Sequence, residues 1–180
     1  MPPGDRETRG RAPRGASRDA ASDYRAKTAH EAARIARRLK GSVHPAPFGD
    51  PASGVVLVVE QPAGPRAIEA LKRSLDSVGL PEAYVTWTYT GLLMQELLST
   101  EPHALVAVGP GAVREIDAIH HPLARASFTE APEGTWFSWT RGTAGLRLPA
   151  LAPALEDDAA KRRFWRAFVV LRDLAPAPRP

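Results

Sequence analysis

The run Val55-Val56-Leu57-Val58-Val59 breaks without transition into Glu60-Gln61-Pro62-Ala63-Gly64. Five consecutive apolar, mostly β-branched residues leave no polar face. The segment therefore suits a strand covered on both sides, and such strands belong to parallel sheets. Pro65 is placed to open a helix directly after the turn. A buried parallel strand that ends in a polar turn sets side chains at the carboxyl edge of its sheet, where open α/β sheets bind ligands.

The rest of the chain repeats this alternation. Ile68, Leu71, Leu75 and Val78 recur at helical spacing, and Gly79 stops the run. A second strand is expected over 83–89, a helix over 91–99, and a third strand over 103–108. A further helix follows Gly109-Pro110-Gly111, with Val113, Ile116 and Ile119 inward. Residues 120–142 read as irregular, a fourth strand is expected over 145–151, and a last helix starts near Asp157-Asp158. Its Phe164, Trp165, Phe168, Val169 and Leu171 read as one broad apolar face. Strands alternating with helices predict an α/β fold, a three-layer sandwich around a mostly parallel four-stranded sheet.

Charge is uneven. Residues 1–41 carry 11 Lys/Arg against 5 Asp/Glu, whereas residues 42–180 carry 13 against 15. A basic arm on a near-neutral domain fits nucleic acid or another polyanion, or else a solvated tail. Residues 1–21 read as a disordered basic tail and 22–53 as a basic helix with a Pro-rich linker. Ser22 is the expected N-cap, and Tyr24, Thr28, Ile35, Ala36 and Leu39 fall near one helical face. The folded domain spans 54–174 and a short tail 175–180. No apolar run approaches the roughly 20 residues of a membrane span, so no membrane partner is expected. The Arg-, Pro- and Gly-rich start lacks the apolar core of a secretory signal, and the expected location is cytoplasmic. Cysteine is absent, which excludes disulfides, thiolate nucleophiles and Cys-ligated metal within these residues.

Four ordered segments resemble the uracil-DNA glycosylase superfamily: Val55–Gly64; Val78-Gly79-Leu80-Pro81-Glu82-Ala83-Tyr84-Val85-Thr86; Glu101-Pro102-His103-Ala104-Leu105-Val106-Ala107-Val108-Gly109; and Leu148–Leu155 with the helix bearing Phe164-Trp165. They cover about residues 54–173. The resemblance implies a uracil-DNA-glycosylase-like sheet, with Glu60 and Gln61 in the loop whose polar residue positions the attacking water. Several of the family's working residues are replaced. The Asn that reads the uracil edge falls at Trp87, whose indole offers one donor and no acceptor. The His of the last loop falls at Ala152. The turn before the following helix is too short for the family's base-stacking aromatic residue, and the four Cys of its iron–sulfur branches are missing.

The residues leave paired readings. Glu60 serves as base or electrostatic stabiliser of an oxocarbenium-like sugar, with Gln61 orienting water, or else it caps its loop. Trp87 and Tyr89 stack a base or fill the core. Gly109-Pro110-Gly111 offers N–H groups to a phosphate or is a tight turn. Trp136-Phe137-Ser138-Trp139-Thr140-Arg141 meets a single strand or covers the sheet edge. His120-His121 lacks partners for a metal set, and neither metal nor cofactor is expected. Arg34, Arg37, Arg38 and Lys40 on the arm, and Lys161, Arg162, Arg163 and Arg166 on the last helix, are candidate phosphate contacts. The leading expectation is a DNA-interacting protein, single- or double-stranded, with lost or reduced base excision. The alternatives are an active divergent DNA glycosylase using Glu60 and a protein–protein adaptor that contacts its partner through residues 136–139.

Overall fold

The structure, a computed structural model, describes residues 16–39, 45–60 and 64–175. Strand β1 (Val55–Val59) is buried along its whole length. It pairs in parallel with β2 (Tyr84–Trp87) on one side and with β3 (Ala104–Val108) on the other. Strand β5 (Ala144–Leu148) continues the parallel set beside β3. Strand β4 (Trp136–Ser138) closes the sheet as an antiparallel edge, giving the order β2-β1-β3-β5-β4.

The alternation of side chains along a strand divides the core in two. Val55, Leu57 and Val59 face Leu71 and Leu75 of α2 (Pro65–Ser77) together with Phe164 and Phe168 of α6 (Asp158–Phe168). Val56 and Val58 face Leu93 and Leu97 of α3 (Leu93–Thr100) and Val113 and Ile116 of α4 (Pro110–Ala118). Helices thus cover both faces of a mostly parallel sheet. Each fully buried Leu, Ile or Phe contributes about 1.5–3 kcal/mol.

The four parallel strands lie where the sequence places them, but the sheet has five strands, not four. β4 falls inside the segment read as irregular. At three residues it is too short to display a period, and its pairing is visible only in space. Phe137 lies over Gly145, where an added Cβ would sit 2.4 Å from the ring. β5 stops at Leu148 rather than 151, because Pro149 has no N–H for the ladder, and Leu151 opens the short helix α5 (Leu151–Ala154). Likewise β2 ends at Trp87, and residues 88–90 form a single 3₁₀ turn.

Helix α1 (Ala16–Arg38) begins six residues before the expected start, so Ser22 lies inside it and caps nothing. Thr28 and Ile35 are buried and Tyr24 and Leu39 half-buried, whereas Ala36 points to solvent. The Tyr24 hydroxyl donates to the Thr100 carbonyl (2.6 Å), and the Arg38 guanidinium donates to Gln95 Oε1 (3.0 Å). α1 therefore runs antiparallel to α3, with its basic end toward the carboxyl edge of the sheet. The expected linker does structural work in its described part. Phe48 exchanges backbone hydrogen bonds with Val85 and so covers the outer edge of β2. Gly49 makes this approach possible: at φ +92°, a Cβ there would lie 2.1 Å from the Ala83 carbonyl oxygen.

Candidate nucleic-acid interface

The chain leaves β1 toward β2, then returns past β1 to β3. The carboxyl ends of β1 and β3 therefore flank the switch-point crevice of the sheet. Glu60 follows β1, and Gly109-Pro110-Gly111 follows β3. The Glu60 carboxylate accepts a hydrogen bond from the Gly111 N–H in the first turn of α4. A Cβ at Gly109 (φ +91°) would stand 2.3 Å from Glu60 Cδ, and one at Gly111 would stand 2.8 Å from Oε2. Both glycines make room for this carboxylate. The helix terminus that an external phosphate would use holds a side chain of the protein itself. Gln61, the second expected catalytic residue, and Lys40 on the arm lie outside the described residues.

Trp87 closes the same edge above β2. It is 0% exposed, sits 6.2 Å from the Phe48 ring, and stacks at 6.5 Å on Tyr89 with 4° between the planes. A ring without exposed surface presents no face to an external base, so the expectation that Trp87 stacks one is corrected: it is a core residue. Its Nε1–H meets no hydrogen-bond acceptor among the described residues. Tyr89 reaches Trp87 from the 3₁₀ turn rather than from the strand, and its hydroxyl donates to the Pro45 carbonyl.

The cations divide into engaged and free. Arg34 pairs with Glu31 (3.0 Å) and Arg38 with Gln95, while Arg37 is exposed. Arg163 grips Glu133 through two hydrogen bonds of 2.7 and 2.8 Å, so this expected phosphate contact is committed. Lys161 and Arg162 are exposed and form no ion pair with a described residue. The Arg163–Glu133 pair lines a cleft of about 550 Å³ together with Pro110, Arg147 and Pro149. The Arg66 guanidinium donates to the Leu155 carbonyl. This bond brings the start of α2 against the α5–α6 junction, so the first turns of α6 share the carboxyl edge with the crevice.

The aromatic segment 136–141 goes mostly inward. Trp139 and Thr140 are buried, Trp139 packs edge-on against Phe128, and Trp136 is half-buried. His121 packs on Trp139 at 4.8 Å. No cluster of three metal-ligating side chains exists among the described residues, nor is any of their helices long and apolar enough to cross a membrane.

Three features escape the sequence reading. Glu96 is buried beneath α3, where Thr86 Oγ1 donates to its carboxyl oxygens at 2.9 and 2.8 Å. Burial pushes the carboxyl up to about 7, against hydrogen bonds from Thr86 and Tyr84 that favour the charged form. Its spacing from Leu93, Leu97 and Thr100 places it on the inward face of the helix, a signal present in the sequence. Asp117 accepts from Ser127, Phe128 and Thr129 and pins the loop over the Phe128 ring. Burial raises its carboxyl, but the bonds from Thr129 and Ser127 outweigh this and hold it below the usual range. Trp165, expected within the apolar face, is 38% exposed.

No protein-family model matches the chain, and no curated protein matches it in sequence.

Proposed function

We propose that the chain is a DNA-binding protein on a divergent uracil-DNA-glycosylase-type sandwich, with base excision lost or greatly reduced. The parallel set β2-β1-β3-β5, with a polar turn after β1 at the switch point, supports the kinship. One observation carries the functional reading. At the carboxyl edge Glu60 is bound to Gly111, while Lys161 and Arg162 stand exposed and form no ion pair with a described residue. Excision needs a pocket for a flipped base and donors for the departing base. Trp87 occupies the end of β2 and Ala152 offers no donor to a departing base anion. Phosphate binding needs only accessible cations.

Anisotropy titration of labelled DNA against salt tests this reading. Affinity is expected to fall steeply with salt, and Lys161→Ala/Arg162→Ala to lower the slope of log K against log salt by about 1–2. Absent binding, or binding indifferent to salt, would contradict it and favour an adaptor role.

A further inference from the structure

The outer face of α6 combines exposed cations with a part-exposed aromatic ring. At 3.6 residues per turn, Lys161, Trp165, Arg162 and Arg166 fall on one arc. The opposite arc, Phe164, Ala167 and Phe168, is buried. Trp165 sits between the cations: Lys161 and Arg162 lie one turn before it and Arg166 beside it. All three are exposed and form no ion pair with a described residue. Arg163 turns away to Glu133.

The indole is held in a defined pose. It stacks on Phe168 at 6.0 Å with 18° between planes, and Phe168 stacks in turn on Phe164 at 5.3 Å and 23°. Phe168 is fully buried, so this column anchors the indole on the core while 38% of the residue stays open to solvent. Exposing a large aromatic ring forgoes burial that α6 gives to its neighbours. At the helix start the Asp157 carboxylate accepts from the Ala160 N–H (2.6 Å) and is occupied as the N-cap, while Asp158 lies exposed in the first turn, three and four residues before Lys161 and Arg162, and offsets part of their charge.

We infer that this face is a binding site for single-stranded nucleic acid, in which Trp165 stacks an unpaired base and Lys161, Arg162 and Arg166 hold the flanking phosphates. A flat aromatic face with cations on both sides matches the two recurring components of a strand, the base plane and the charged backbone. The bases of an intact duplex are already stacked on each other, so a ring on a convex helix gains nothing from them. An acidic protein segment would satisfy the cations but offers no planar partner to the indole. The inference rests on the DNA-binding reading and adds the strand type and the recognition element.

The test compares an oligothymidylate of about 16 nucleotides, the upper end of common site sizes, with a duplex of equal length and with poly-glutamate. The full chain is expected to bind the single strand most tightly, with quenching of tryptophan emission. Trp165→Ala is expected to lower that affinity about tenfold or more without changing the salt slope, because it removes no charge. Trp165→Phe is expected to retain most of the affinity while losing the quench. Lys161→Ala/Arg162→Ala/Arg166→Ala is expected to lower the slope by about 2. Unfolding melts of each variant identify any loss of fold. Single-strand binding unaffected by Trp165→Ala overturns the inference and leaves DNA binding standing. Equal or tighter binding of poly-glutamate overturns it in favour of a protein partner. No binding of either nucleic acid overturns both readings.

Discussion

The crevice between β1 and β3 and the outer face of α6 lie at the same edge of the sheet, yet one is filled and the other open. In the crevice, Glu60 is tied to Gly111, two glycines give up their side chains to accommodate it, and Trp87 fills the end of β2. On α6, three cations remain in solvent and a tryptophan stays 38% exposed, although Phe164, Ala167 and Phe168 of the same helix are buried. At the position that topology favours for ligands the side chains bond to one another, and the accessible charge stands on the adjoining helix. Fold alone locates the edge; the partners of individual side chains decide what it can do.

The contrast has consequences that separate stability from binding. Changes in the filled region should cost stability and leave DNA affinity intact, and changes on α6 should do the reverse. The largest effect is expected from Gly109→Ala. The positive φ and the clash with Glu60 together should destabilise by roughly 2–4 kcal/mol in urea unfolding. In a Glu60→Ala background the clash component should disappear while the φ component remains. If Gly109→Ala costs the same in both backgrounds, the carboxylate does not shape the turn.

The next effect belongs to Glu96. Its carboxyl is raised from 4.5 to about 7 in the folded protein, so the native state keeps a proton that the unfolded chain releases. That contribution is complete below about 4.5 and is lost as pH rises through about 7, by about 3 kcal/mol in all. Glu96→Gln should flatten this part of the pH profile of urea midpoints. An unchanged profile would show that Glu96 is not held protonated.

Glu60→Ala should cost about 1–2 kcal/mol, the worth of a charged hydrogen bond at a helix start, with no change in DNA affinity. A weakened affinity would move the binding surface into the crevice. The smallest effect is expected at Asp157→Ala, about 1 kcal/mol for a lost N-cap, read as a small drop in melting temperature.

Much of the fold was legible because it depends on local patterns. The run 55–59, the helical spacing of Leu71 and Leu75, and the punctuation by Gly79 and Gly109 each report on nearby residues, and all four parallel strands follow from such signals. β4 was not legible, since three residues carry no period. The site was harder to read for the same reason. Glu60 and Gly111 are 51 residues apart, so the sequence states both components of the cap and leaves their meeting open. Trp165 was misassigned because Phe164, Trp165, Phe168, Val169 and Leu171 span too wide an arc for one interface, and periodicity does not say which side of the arc stays wet. Glu96 falls on the inward arc with Leu93, Leu97 and Thr100, so its burial is written in the spacing even though its charge favours the surface.

The central claim is that this edge binds DNA and does not excise a base from it. A single-turnover assay tests it most directly. Protein in excess is incubated with single- and double-stranded oligonucleotides containing uracil, binding is verified on the same samples, and abasic sites are cleaved with alkali. Bound DNA without strand scission is the expected result. Scission that disappears in Glu60→Ala, with binding retained, would contradict it and make Glu60 a working catalytic carboxylate.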